Sequence, residues 1–298
     1  MASQIELIKV LRERTGAGLM DCKTALLEND NDIEKAVTWL REKGIAKQAK
    51  KAGRIAAEGL TGLKVEGDKA VIVEVNCETD FVARNENFIN LVKETTEVAY
   101  ASNATNVEEL LEQKNANGVT IASLFDDAGI KIREKLSLRR VVVINKKPEQ
   151  VFGSYVHMKG QISSVVILNG GDTQLANEMA MCVVSDNPSY ASIEEVNQEE
   201  LAKEKEVQLV AANNDPKFAS KPEAIKEKII EGKVQKHFQD QVFTFQEYVL
   251  DPSKTIGQVL KEKNASVVSF CKIQVGEGIE KRQDDFAAEV AAQVSASK

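Results

Sequence analysis

The chain has 298 residues, 43% of them hydrophobic, with a formal net charge of −7 and a pI near 5.2. That length suits two or three compact units with ordinary cores. The acidic balance disfavours general nucleic-acid binding, which needs a basic footprint to displace counterions from phosphates, and favours a protein that meets other proteins.

The opening stretch, MASQIELIKVLRERTG, has no apolar core of signal-peptide length and carries acidic Glu6 and Glu13, unlike a transit peptide. No uninterrupted apolar run of about 18 residues occurs, so no membrane span is predicted and a cytoplasmic protein is expected. Residues 1–54 read as three short helices and a basic tail. Ile5, Ile8 and Leu11, with Leu7 alongside, mark the first helix, which Thr15-Gly16-Ala17-Gly18 breaks. Met20, Ala25 and Leu26 carry the second, ended by Asn29-Asp30-Asn31. Asp32 can cap the third, whose apolar set is Ile33, Ala36, Val37 and Leu40, with Gly44 as the stop. Helices this short are marginal alone, so they must pack into one three-helix unit. Lys47–Arg54 then reads as a solvated basic linker.

Next comes a degenerate internal repeat of strand, turn, strand and helix. In the first copy, strands Leu60–Val65 and Ala70–Val75 flank Glu66-Gly67-Asp68, and a helix follows through Phe88, Leu91, Val92 and Val98. An acidic helical segment, roughly 107–135, feeds a strand at Arg139–Ile144. In the second copy, Gly153–His157 leads through Lys159-Gly160 to strand Ser164–Leu168 and a helix from about Gln174 to Val184. Each half is a small antiparallel sheet covered by helices, so the fold class is α+β. Residues 193–240 are charge-rich, with Val196, Leu201, Val207 and Val210 before Asn213-Asn214-Asp215-Pro216 and Ile225, Ile229, Ile230, Val234 and Phe238 after it. That pattern predicts a protruding antiparallel helical hairpin of coiled-coil type. Extended pieces at Phe243–Val249 and Val267–Val275 flank a helix near Gly257–Lys263, and Asp284–Ala292 reads as a short C-terminal helix. The expected organisation is thus a three-helix unit with its linker over 1–54 and core subdomains over 55–140 and over 141–192 with 241–273. The hairpin over 193–240 is inserted in the second, and a C-terminal module spans 274–298.

Catalytic signatures are weak. The four cysteines, Cys22, Cys77, Cys182 and Cys271, lie far apart without a C-x-x-C pair, so reduced thiols and no metal site are expected. Cys22 and Cys77 read as small packing residues rather than reactive thiols. The only histidines are His157 and His237, and neither sits beside a G-x-S-x-G nucleophile; no G-x-x-x-x-G-K-[ST] loop exists either. Gly276-Glu277-Gly278-Ile279-Glu280-Lys281 begins like a phosphate turn, but its glutamates would repel phosphate. No cofactor and no bond chemistry are expected.

The two repeat copies differ at one junction. Strand and helix are joined by the compact turn Asn169–Thr173 in the second half, whereas the first half must fit Asn76–Asn85. The fold can be built without that longer connection, so its Phe81 and alternating charges need another reason. Either Phe81 tucks back onto its own helix, or Asp80-Phe81 projects as an aromatic anchor for a partner pocket.

Thr15–Lys23 (TGAGLMDCK) followed by Asn76–Ala83 (NCETDFVA) resembles bacterial elongation factor Ts, and the likeness runs through Gly153-Ser154-Tyr155-x-His157, Pro252–Thr255 and Val275–Lys281. The resemblance begins within a few residues of Met1, which favours a bacterial version, with a processed mature organellar chain as the alternative. It further implies a guanine-nucleotide exchange factor for elongation factor Tu, in its GDP-bound or nucleotide-free state, with no direct nucleic-acid or membrane contact. Its N-terminal unit would be UBA-like and would meet the partner's GTPase domain, as would the C-terminal helix. Asp80 and Phe81, flanked by Thr79 and Val82, would enter near the partner's Mg²⁺ site. Arg12, Met20 and Lys23 would face the partner, although Met20 also suits helix packing. His157 would contact the partner farther from the nucleotide, or else be a half-buried sheet residue. For the hairpin, a homodimer or 2:2 contact, a partner contact and a bare projection all stay open. The rival classes are a ribosome-associated or ubiquitin-like-binding adaptor without exchange activity, and an enzyme using His157 or a cysteine.

Overall fold

The computed structural model describes residues 3–214 and 216–280, and the chain divides into two compact units. Of the described residues, 3–62, 72–142 and 274–280 form the first, and 63–71 with 143–273 the second. The expected C-terminal helix at Asp284–Ala292 lies outside the described residues. Among those described, no helix is long and apolar enough to cross a membrane.

The first unit opens with α1 (Gln4–Thr15), α2 (Leu19–Glu28) and α3 (Ile33–Ala49). A capping box between Ser3 and Glu6 starts α1, and left-handed Gly16 (φ 67°) ends it. Asp32 caps α3, its carboxylate accepting the Lys35 N–H at 3.1 Å. Leu11, Cys22, Ala25, Leu26, Ala36 and Leu40 form the shared core, with Leu7, Ile8, Ile33, Val37 and Trp39 packed against it. Ile5 departs from the expected stripe and is exposed. Gly44 does not stop α3, which runs on to Ala49 through the first part of the expected linker. The glycine serves close packing instead: a Cβ there would lie 2.5 Å from Ile130 Cγ1 and Cδ1. Nor is the rest of the linker simply solvated, because Lys51 Nζ donates to the Arg133 carbonyl at 2.6 Å and Arg54 pairs with Glu78 at 3.2 Å.

Strands β1 (Glu58–Glu66) and β2 (Lys69–Cys77) follow, then α4 (Asp80–Ala83), α5 (Glu86–Ala101), α6 (Val107–Glu112), α7 (Ile121–Ile132) and β3 (Ser137–Asn145). The sheet order is β1-β2-β3, so β2 is central, which explains why nearly all of its residues are buried. The segment read as one helical stretch is two helices. Between them Asn115 Oδ1 accepts the N–H groups of Asn117 and Val119, a local turn that competes with the helix ladder. Within β2, Glu74 is fully buried and accepts from Arg139, Arg140, Asn76 and the Gly276 N–H. Burial alone would raise its carboxyl, but the Gly276 N–H and both guanidiniums outweigh that and hold it below the usual range.

The second unit contains β4 (Gln150–His157), β5 (Ile162–Asn169), α8 (Thr173–Asp186), α9 (Gln198–Asn213), α10 (Pro216–Ala219), α11 (Glu223–His237), β6 (Glu247–Tyr248), β7 (Asp251–Thr255), α12 (Ile256–Glu262) and β8 (Ser266–Gln274). β4 and β5 are antiparallel, in register from Gln150 opposite Asn169 to His157 opposite Ile162, and β8 flanks β5. α8 lies on β4 and β5 through Leu175, Ala176, Met179 and Val183. The repeat shows in the packing. A Cβ on Gly153 in β4 would run into the Ala176 carbonyl of α8, and one on Gly62 in β1 would strike Thr96 of α5. Backbone cannot give way as a flexible side chain can, so Gly153→Ala should cost about 2 kcal/mol, read as a lower urea midpoint.

α9 and α11 pair as the expected hairpin, though not through the whole expected stripe. Val196, Ala212, Phe218, Ile230, Val234 and Phe238 cluster, while Val207, Val210 and Ile225 are exposed. The piece Phe243–Val249 is a strand only in its second half: a 3₁₀ turn at Phe243–Phe245 precedes β6, which pairs with β7 as a small hairpin.

Candidate functional site

The β2–α5 junction is built from the sheet outward. Asn76 and Cys77 close β2 inside the core. Cys77 Sγ donates to the Thr79 carbonyl at 3.2 Å, and burial, reinforced by the Glu134 and Glu58 charges, pushes its thiol up to about 12. Thr79 is extended (φ −127°, ψ 153°) and caps a single helical turn, its hydroxyl accepting the Val82 N–H at 3.4 Å. The expected loop is thus α4 rather than irregular chain. Asn85 then caps α5, its side chain accepting the Asn87 N–H at 2.9 Å. In the other copy, Gly170 and Gly171 at positive φ lead straight to the cap Asp172, without an inserted turn.

The ends of α4 face opposite environments. Ala83 is buried and Val82 half-buried, which anchors the turn on its own unit. Phe81 is 82% exposed, so the reading in which it folds back onto its helix does not hold. Asp80 is half-exposed and pairs with Arg84 at 3.1 Å, an i,i+4 contact worth only about 0.3–0.5 kcal/mol and easily exchanged for another partner.

A second layer of contacts holds the turn from beneath. Glu134, just past left-handed Arg133 at the end of α7, accepts the N–H groups of Glu78 and Thr79 at 3.0 and 3.1 Å and the Thr79 hydroxyl at 2.7 Å. Glu78 reciprocates by accepting the Lys135 N–H at 2.6 Å. Lys135 Nζ donates to the Ala52 and Arg54 carbonyls at 2.7 and 2.9 Å, and Arg133 pairs with Asp21 at 3.3 Å. None of this was legible beforehand, because Glu134 and Glu78 lie 56 residues apart and no local periodicity links them.

Thr79, Asp80, Phe81 and Val82 are brought together in α4 and its cap. Met20 is 66% exposed on α2, beside exposed Leu19, so it is not a packing residue; Arg12 is exposed on α1. His157 belongs to the second unit, half-buried at the end of β4, with Nδ1 3.3 Å from the Tyr155 hydroxyl and exposed Val156 and Met158 on either side. Cys22 is buried and its thiol raised, chiefly by burial, as a packing residue requires. Among the described residues, no group of three or more His, Cys, Asp or Glu is placed to hold a metal ion. What the arrangement offers is an exposed aromatic ring on a hydrogen-bonded turn beside a loosely held carboxylate.

Residues 78–277 match the family model described as "Elongation factor TS", and residues 1–53 match "Elongation factor Ts, mitochondrial, N-terminal". Among curated proteins, elongation factor Ts of Acholeplasma laidlawii (strain PG-8A) is 47% identical over 289 residues, covering 97% of this chain and 98% of its own.

Proposed function

The chain belongs to the elongation factor Ts family of translation elongation factors, and from that premise we propose that it promotes exchange of GDP for GTP on elongation factor Tu without making or breaking a covalent bond. The observation that carries the reading is Phe81, an aromatic ring left exposed on a capped turn that the second repeat copy does without. Such a ring gains most of its free energy only when a partner buries it.

Bound GDP is held by phosphate-loop amides and by Mg²⁺, which neutralises phosphate charge. A factor speeds release only by binding the loosened or empty state more tightly than the GDP state. The coupling is reciprocal, so nucleotide rebinding ejects the factor and lets it act again. In this reading Phe81 wedges aside the segments that organise the metal, and Thr79 and Val82 hold it at its angle. Asp80 leaves Arg84 to hydrogen-bond partner side chains; ligating the ion would retain it rather than expel it. In this reading Arg12 and Met20 on the N-terminal helices are binding contacts, and His157 in the second unit is one farther from the nucleotide. The setting is the cytoplasm.

The test is release of labelled GDP from elongation factor Tu with and without this chain. Acceleration at substoichiometric factor is expected. An unchanged rate with binding intact would make the chain an adaptor, and activity with no protein partner would make it an enzyme.

A further inference from the structure

A four-residue helix is far below the length at which helical hydrogen bonds sustain themselves, so α4 must be held in shape from outside. Val82 and Ala83 alone pack inward from it, and Phe81 contributes almost nothing to the free chain. The external support converges on one carboxylate. Glu134 accepts three donors from the two residues entering the turn: the Glu78 N–H, the Thr79 N–H and the Thr79 hydroxyl. Because that hydroxyl donates its proton to Glu134, its lone pairs stay aimed at the Val82 N–H, the cap of the turn itself. The carboxylate therefore fixes the direction of the capping oxygen as well as the backbone before it. The return bond from the Lys135 N–H to Glu78 stops the two segments sliding past one another.

We infer that Glu134 is a positioning residue for exchange: it preorganises α4 so that Phe81 meets the partner already in its working orientation. The inference rests on the exchange reading above. Preorganisation matters here because ordering a turn at the moment of insertion would oppose the step that loosens the nucleotide. Docking through the N-terminal helices and the second unit does not need the turn to be ordered. Losing the clamp should therefore lower the maximal rate of release more than the concentration of factor needed to reach half of it.

The experiment measures GDP release from elongation factor Tu across a titration of full-length Glu134→Ala, Glu134→Gln, Phe81→Ala and the Phe81→Ala/Glu134→Ala double variant. Amide hydrogen exchange of residues 78–82 is followed in the free chains. Glu134→Ala should lower the maximal rate about tenfold with little change in half-saturation, since displacing an acting group by even about 1 Å can cost up to about 10²-fold. Its Glu78, Thr79 and Val82 amides should exchange faster. Glu134→Gln keeps an acceptor for the two backbone N–H groups and should recover much of the loss. The double variant should be scarcely slower than Phe81→Ala, because the clamp has nothing left to position. If Phe81→Ala slows release but Glu134→Ala does not, or if the two losses multiply, Glu134 does not act through the ring and the inference falls. If Phe81→Ala releases GDP at full speed, the wedge and with it the inference fall while exchange itself stands; if the unaltered chain leaves release unchanged, the exchange reading falls and takes the inference with it. Amide exchange reports separately whether the carboxylate orders the turn.

Discussion

Replacing Phe81 with alanine is expected to slow GDP release from elongation factor Tu about 30-fold, the equivalent of about 2 kcal/mol at an aromatic hot spot. The melting temperature should not move, since an 82% exposed ring has little intramolecular packing to lose. Those two readings together separate a wedge from a structural side chain. Linkage adds a third: a variant that disturbs nucleotide binding less should itself be displaced less strongly by GDP. Phe81→Leu keeps apolar bulk without the flat ring and should fall between the two rates. Full-speed release by Phe81→Ala would remove the wedge from the mechanism.

The second large effect concerns stability rather than rate. Glu74 is fully buried and binds two guanidiniums and the Gly276 N–H, joining β2 and β3 to the chain beyond β8. Glu74→Ala should cost about 3 kcal/mol, the low end for breaking a buried pair, because both arginines keep partial access to water. The pH dependence has a definite sign. The folded-state carboxyl is lowered, so its contribution is complete above the unfolded value of about 4.3 and disappears as pH falls through the lower folded value. Glu74→Gln should therefore start less stable at neutral pH and lose less on acidification. Urea midpoints by circular dichroism at neutral pH and below pH 4 check both statements; a parallel decline of variant and wild type would contradict them.

Much of the fold was legible because it is local. The run Ala70–Val75 reads as a buried strand, Glu66-Gly67-Asp68 as a turn and Asp32 as a cap, and comparison of the two repeat copies isolates the residues around Phe81. The misreadings share a cause. Gly44 has the look of a helix stop until Ile130, 86 positions later in the chain, packs against it. Val207, Val210 and Ile225 have helical spacing yet are exposed, whereas Ile230, Val234 and Phe238 of the same expected stripe pack together, joined by Phe218. Glu134 sits at an unremarkable helix end, and its meaning comes only from the turn it supports. The roles proposed for Arg12, Met20 and His157 depend on a partner's surface, which periodicity does not encode.

Cys77 ends the strand that carries the working turn, with its thiol pushed up to about 12. The sulfur is closed off from solvent, and its burial disfavours the thiolate, the form that peroxides and disulfides attack. The turn proposed to meet the partner therefore follows directly on a cysteine that offers oxidants no ready target. In the proposed role, exchange would then be insulated at this position from swings in cellular redox state.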